Sequence, residues 1–240
     1  MKKFVPLLVL LILLVGGGIY LLNRNKAEKV VEEEPEVTKL IPAEYLPFVK
    51  LIPHSDHHRL DVHITGIKAP RFDYQVIYTF DFKGQPVERG FGGRDIKLEG
   101  KTEFIRDKDK AVVFGSASSG IFKYDEGVEN GSLEITYRDD KGKATGRAET
   151  KWHLQDAKAT QFTSADGNLT FKPSVKVQGT MLTMNTLGLP APITGIVLVG
   201  PYGIFPSDSS KIAGTITFKL ASESSGKLMI YDETTKSWKE

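Results

Sequence analysis

The stretch RFDYQVIYTFDFK, Arg71 to Lys83, decides the fold class because hydrophobic and polar residues alternate along it. Its even positions, 72 to 82, are Phe, Tyr, Val, Tyr, Phe and Phe. Its odd positions are mostly polar, with Ile77 as the exception. Successive side chains of a strand point to opposite faces of a sheet, so this alternation predicts a long β-strand with one buried face. The residues that follow, Lys83-Gly84-Gln85, are predicted to form the turn that ends the strand.

The same alternation recurs on both sides of this stretch, in shorter segments separated by turns that contain Gly, Asp or Pro. These segments are Leu60–Ile64, Ile96–Leu98, Leu133–Tyr137, Lys143–Leu154, Ile212–Leu220, Lys227–Tyr231 and Lys236–Trp238. A helical period is not sustained in the chain beyond Ile41. Many short strands joined by turns predict an all-β ectodomain, an antiparallel β-sandwich of the immunoglobulin-like type.

The N-terminal stretch Phe4–Leu22, FVPLLVLLILLVGGGIYLL, carries no charge and follows Lys2 and Lys3. A helix over it would be about 28 Å long at about 1.5 Å per residue, close to the ~30 Å hydrocarbon core of a bilayer. We therefore predict a transmembrane signal-anchor at 4–22, a cytoplasmic tail at 1–3, and the rest of the chain outside the cytoplasm. The alternative is a signal peptide cleaved near Gly16–Gly18, which would release a secreted protein.

Three regions are predicted after the anchor. Residues 23–41 are rich in charge and are expected to form a stalk. Residues 42–160 and 161–240 are predicted to be two β-sandwich domains, divided at the polar stretch QFTSADG, Gln161–Gly167. One continuous sandwich is the alternative to this division.

Composition excludes several classes of site. The chain has no cysteine, which excludes disulfides, cysteine-ligated metals, a cysteine nucleophile and a lipidated cysteine anchor. Its net charge is +2, and without Lys2 and Lys3 the remainder is neutral. A neutral ectodomain has no electrostatic footprint for nucleic acid, so no nucleic-acid partner is predicted. No sequence motif indicates a cofactor.

One segment, HSDHHRLDVH at His54–His63, holds four of the five histidines together with two aspartates. If it continues as a strand, His57, Asp61 and His63 share one face, and all three are metal-ligating residue types. The sequence therefore predicts a metal site at His57, Asp61 and His63. The alternative is an ordinary polar face exposed to solvent.

The aromatic face of the long strand has two interpretations. Stacked rings can form a sugar-binding surface, but such a face is more often the core of a sandwich. The aromatic residues concerned are Phe72, Tyr74, Tyr78, Phe80 and Phe82.

No catalytic motif stands out. GSASSG, Gly115–Gly120, has its glycines one residue too far apart for a G-x-S-x-G nucleophile elbow and is expected to be a turn. His153 is the one histidine outside the cluster at 54–63. The sequence favours a non-enzymatic protein, with a hydrolase that uses an unrecognised site as an alternative.

Two groups of residues resemble known families. IVLVGPYGIFP at 196–206, the strand-like Gly214–Leu220, and LMIYD at 228–232 with Trp238 resemble ZU5-like extracellular modules, which implies a β-sandwich. GSASSG at 115–120, KYDEGV at 123–128 and SADG at 164–167 resemble uncharacterised membrane-anchored bacterial surface proteins with immunoglobulin-like domains. Neither resemblance brings functional residues with it.

These observations lead to one functional hypothesis and two alternatives. The hypothesis is a membrane-anchored, non-enzymatic surface interaction or envelope protein with a protein or glycan partner at the cell surface. The alternatives are a glycan- or metal-binding envelope module and a hydrolase.

Overall fold

β-Strands joined by short turns make up most of the chain in the computed structural model, which describes residues 39–118, 121–195, 197–208, 212–219 and 228–239. Within these residues the helical segments are two short 3-10 turns, Ala43–Tyr45 and Lys108–Lys110. The paired strands are antiparallel, as the alternation predicted. The strands are β1 (Phe48–Pro53), β2 (Arg59–Thr65), β3 (Arg71–Phe82), β4 (Gln85–Lys97), β5 (Glu103–Arg106), β6 (Val112–Val113), β7 (Gly115–Ser118), β8 (Ile121–Tyr124), β9 (Asn130–Arg138), β10 (Ala144–Asp156), β11 (Phe162–Thr163), β12 (Leu169–Pro173), β13 (Thr180–Asn185), β14 (Tyr202–Pro206), β15 (Gly214–Phe218), β16 (Ile230–Asp232) and β17 (Ser237–Lys239).

The largest sheet has six strands in the order β14-β13-β10-β9-β3-β4. Its strand β3 is the segment predicted from the alternation, and the turn after it is confirmed. Lys83 and Gly84 have φ values of 58° and 81°, the pair of positive angles that a tight two-residue hairpin requires. Strand β4 is much longer than the predicted Ile96–Leu98. The sequence did not show its full length, because most of its residues are exposed and its half-buried positions include Arg89 and Gly93 as well as Phe91 and Ile96.

A second sheet, β1-β2-β5 with β6 also on β2, packs face to face on the largest sheet. Hydrophobic residues from both sheets fill the space between them and form the first core. Ring contacts join the two layers, for example Phe104 against Phe72 at 5.4 Å and Phe114 against Trp152 at 6.1 Å between centroids. The predicted inward faces of β2, β3 and β9 are buried here, except for Phe82 at the end of β3.

A third sheet, β11-β12-β15, covers the other side of the largest sheet near β13. Its residues Phe162, Leu169 and Phe171 form a second core with Met181 of β13. The neighbouring Leu182 of β13 belongs to the first core instead. Strand β13 is therefore buried on both faces, which its pattern of five consecutive buried residues reflects.

The division into domains at 160/161 stays a prediction. The described residues belong to one compact unit, 37–240. Strands β13 and β14 lie after the predicted boundary but hydrogen-bond into the same sheet as β10, whereas β11, β12 and β15 form a sheet of their own. Part of the predicted stalk also packs against the fold: Ile41 is buried in the first core, and its N–H donates to the Arg147 carbonyl at 3.0 Å.

The predicted anchor, Phe4–Leu22, lies outside the described residues, as do residues 1–3 and 23–38. Among the residues that are described, no helix is long and apolar enough to cross a bilayer. The transmembrane helix stays a prediction from the sequence.

Candidate functional site

The aromatic face of β3 is a core and not a binding surface over most of its length. Phe72, Tyr74, Tyr78 and Phe80 are at most 5% exposed. The exception is Phe82 at the end of the strand, which is 47% exposed although it shares their face. The hypothesis of a sugar-binding surface at Tyr74 and Tyr78 is therefore wrong, and the interpretation as a core is confirmed.

A buried polar network lies beneath the exposed end of β3. The Tyr78 hydroxyl donates to the Asp125 carboxylate at 2.7 Å and accepts from the Gly115 N–H at 3.0 Å. The Arg89 guanidinium donates to the same Asp125 oxygen at 2.5 Å and lies over the Phe80 ring, 4.8 Å from its centroid. Burial and the hydrogen bond to Asp125 raise the pKa of Tyr78 far above its ordinary value, so the phenol stays protonated. This network ties the β7–β8 segment to the core.

Strands β7 and β8 form a hairpin that, within the described residues, pairs with no other strand. GSASSG was expected to be a turn, but Gly115–Ser118 of it is strand β7, because β8 supplies its partner strand. All four residues of β8 are exposed. Three of them are large and apolar: Ile121, Phe122 and Tyr124 are 74%, 54% and 41% exposed.

These three residues and Phe82 are here called the apolar ridge. The Phe122 and Tyr124 rings stack with centroids 6.3 Å apart. The Lys123 ammonium lies 5.9 Å from the Phe82 centroid, which brings β8 to the end of β3. The ridge thus collects four exposed hydrophobic side chains from the end of β3 and from β8, with Lys123 of β8 beside Phe82 and with Phe122 stacked on Tyr124.

A cavity of about 270 Å³ opens between the two parts of the ridge and is here called the ridge cavity. Its walls combine aromatic rings with charged groups of both signs. The lining residues are Phe80, Asp81, Phe82, Arg89, Ser116, Lys123, Tyr124, Asp125 and Glu126.

The histidine segment, His54–His63, also contacts the apolar ridge, through His58. The His58 ring stacks flat on the Tyr124 ring, with centroids 4.2 Å apart and planes within 9°. The His58 carbonyl also accepts the Phe114 N–H at 2.8 Å. His58 therefore supports the ridge from behind, a role that the sequence did not reveal.

The three predicted metal ligands have different surroundings in the structure. His57 is exposed in a turn with a φ of 62°, and Asp61 accepts a 2.8 Å contact from His54 Nε2. His63 lies on β2, where burial and the nearby Lys50 lower its pKa. No three His, Asp or Glu side chains in the described part of the chain are arranged to hold a metal ion. Metal binding at His57, Asp61 and His63 stays a prediction without structural support.

Sequence reasoning missed the ridge and its cavity. The signal was present as IFKY at 121–124, a short run with three large apolar residues, but by itself this run indicates only an ordinary strand.

Comparisons with protein-family models, with curated proteins and with solved structures find no match to this chain.

Proposed function

We propose that this protein is a membrane-anchored, non-enzymatic surface protein that binds a protein partner through the apolar ridge. One observation carries the proposal: Phe82, Ile121, Phe122 and Tyr124 are all exposed by more than two fifths, on β8 and at the end of β3 that Lys123 of β8 contacts. Single exposed hydrophobic residues are normal, but a cluster of large ones marks an interaction surface.

The composition of the ridge fits a protein interface. Aromatic residues are enriched at the centres of such interfaces, and charged residues lie at their rims. Here the aromatic centre is bordered by Lys83 and Lys123, whose ammonium groups lie 5.4 Å and 5.9 Å from the Phe82 centroid. Asp81 and Glu126 add the opposite sign beside them. A partner with an apolar centre and a mixed-charge rim is complementary to this surface.

The network beneath the ridge adds a second argument, because binding costs less when the surface is already ordered. The Tyr78 hydroxyl, the Asp125 carboxylate and the His58 ring hold β7 and β8 in place from below. An exposed hairpin fixed to a rigid core presents its side chains without a large loss of entropy on binding.

The proposal includes the features predicted from the sequence. Phe4–Leu22 anchors the chain in the cell membrane and the β-rich region lies outside the cytoplasm. That region is an immunoglobulin-like sandwich of the kind found in anchored bacterial surface proteins, with a ZU5-like C-terminal part. The two stacked sheets and the first core support the sandwich part of this proposal.

Site-specific photo-crosslinking in intact cells tests the proposal. A photoreactive residue replaces Phe122 in the full-length chain, and a matched control replaces Ile230, which is similarly exposed at 51%. We expect a discrete crosslinked protein from position 122 that disappears when Ile121→Ser is added, and no such product from position 230. Equal crosslinking from both positions, or a product insensitive to Ile121→Ser, would contradict the proposal.

A further inference from the structure

We infer that the ridge cavity binds an uncharged pyranose ring, such as one residue of a surface glycan. This inference goes beyond the proposed function, since it concerns a small-ligand site whose walls include Phe82 and Tyr124 of the ridge but not Ile121 or Phe122. It also moves the glycan hypothesis from the buried face of β3 to the exposed end of that strand.

The walls of the cavity provide the apolar contacts that a sugar ring requires. Phe82 and Tyr124 line it and are both partly exposed at its mouth, whereas Phe80 lies deeper and is 5% exposed. Aromatic rings offer flat apolar surfaces with low conformational entropy, and the C–H faces of a pyranose pack on such surfaces. A ligand entering between Phe82 and Tyr124 thus meets ring surfaces from two separate parts of the chain.

The same walls carry both hydrogen-bond donors and acceptors. Arg89 and Lys123 can donate hydrogen bonds to a ligand, and the carboxylates of Asp81 and Glu126 can accept them. Arg89 is held in a fixed orientation by Asp125 and by the Phe80 ring, so part of its donor array is in place before a ligand arrives. A hydroxyl group both donates and accepts, and a ring with several hydroxyls can satisfy this mixed set.

Charge argues for an uncharged ligand. Asp125 and Arg89 pair with each other at 2.5 Å and so offer no net charge to a ligand. Of the remaining lining residues, Asp81 and Glu126 are negatively charged and Lys123 is positively charged. The positively charged ammonium of Lys83 lies nearby, over the Phe82 ring. Charges of both signs are interspersed, so neither an anion nor a cation gains a strong advantage.

Size limits the ligand to about one ring. The cavity has a volume of about 270 Å³. This volume is just below the range of about 300–1,000 Å³ that is usual for small-molecule sites in proteins. An oligosaccharide would therefore place one residue in the cavity and extend the rest over the surface.

A pair of matched variants tests the inference in the full-length chain purified in detergent. Phe82→Ala removes a wall of the cavity, whereas Phe122→Ala removes a similarly exposed ring of the ridge that does not line it. Binding of glucose, galactose and N-acetylglucosamine is measured by saturation-transfer NMR, with glucuronate and glucosamine as charged counterparts. Thermal melts confirm that both variants remain folded.

We expect at least one uncharged sugar to bind, with affinity reduced about tenfold by Phe82→Ala, the effect of losing one ring contact. Phe122→Ala should leave sugar affinity within about twofold, the range of substitutions outside a site. Glu126→Gln should also weaken binding, because an acceptor becomes partly a donor.

Three results would overturn the inference: no uncharged sugar binds, Phe82→Ala and Phe122→Ala weaken binding equally, or a charged counterpart binds better than its uncharged parent. None of these results alters the crosslinking expected at position 122, so failure here is distinguishable from failure of the proposed function. Release of nitrophenol from nitrophenyl glycosides would instead contradict a non-enzymatic protein.

Discussion

The substitution Tyr78→Phe removes one oxygen atom from the centre of the network beneath the apolar ridge. Tyr78 is fully buried, and its hydroxyl is both the donor to Asp125 and the acceptor for the Gly115 N–H. The ring itself is retained, so its packing against Phe114 at 4.8 Å and Phe91 at 5.9 Å between centroids is preserved. The measured effect therefore reports on the hydrogen bonds.

The magnitude follows from what the two partners lose. The Asp125 carboxylate keeps Arg89 as a partner but loses a charge-assisted hydrogen bond, a loss of about 1.5–3 kcal/mol in typical proteins. The buried Gly115 N–H is left without its acceptor, which costs about 1–3 kcal/mol. Because the losses are coupled and not additive, we expect unfolding to become easier by about 2–4 kcal/mol in total. This corresponds to a melting temperature lower by about 5–15 °C for a chain of this size.

Urea denaturation and calorimetry measure this change, with Tyr231→Phe as the matched control. The Tyr231 hydroxyl has no hydrogen-bond partner among the described residues, so its removal should change stability by less than about 0.5 kcal/mol. The Gly115 N–H should also exchange faster with solvent in Tyr78→Phe, because its acceptor is gone. If Tyr78→Phe is as stable as Tyr231→Phe, the network does not hold the hairpin and the argument that the ridge is preorganised fails.

Two further predictions concern the β-sheets. Gly131→Ala should destabilise the fold by about 1–3 kcal/mol or more, because a Cβ there would lie 2.1 Å from the Ile77 carbonyl oxygen and 2.2 Å from the Trp152 ring. Gly90→Ala is the control, because its new Cβ meets only the end of the flexible Gln75 side chain within 3 Å. The urea midpoint of Gly131→Ala should therefore be lower than that of Gly90→Ala, and equal midpoints would refute the steric argument. Asp73→Asn tests pH dependence. Burial raises the pKa of Asp73, but hydrogen bonds from Arg138 at 2.6 and 2.8 Å outweigh it and hold the pKa below its ordinary 3.8. A lowered folded-state pKa stabilises the protein above the ordinary value and ceases to do so as pH falls through the folded value. Asp73→Asn should therefore be less stable than the native chain at neutral pH, by a margin that shrinks below about pH 4 in urea titrations. A margin that is constant with pH would show that the Asp73 charge contributes nothing.

Much of the fold followed from local patterns. Alternation at Arg71–Lys83 identified β3, its buried face and the hairpin turn, because a strand exposes its period of two directly in the sequence. The same argument found β2, β9 and β10. It failed for β4, because most of its residues are exposed and its half-buried positions include Arg89 and Gly93, so the face toward the core carries few hydrophobic residues.

The histidine segment, His54–His63, shows where prediction from local spacing fails. The shared-face argument for His57, Asp61 and His63 assumed a strand from residue 57 onward, but β2 begins at Arg59 and His57 lies in a turn. Asp61 instead pairs with His54, seven residues earlier. Local spacing could not show either feature, since both depend on how the β1–β2 turn folds back.

By itself, the sequence determined the β-class, the buried face of β3, the absence of cysteine chemistry and the prediction of an anchor at Phe4–Leu22. These are properties of neighbouring residues and of composition. Only the tertiary structure decided that Phe82 leaves the core while Phe80 stays in it, and that Phe82 meets Tyr124 across one cavity. The physical reason is distance along the chain. Burial depends on which strands cover a face, and β8 reaches the end of β3 from about forty residues further on, beyond the range of any local pattern.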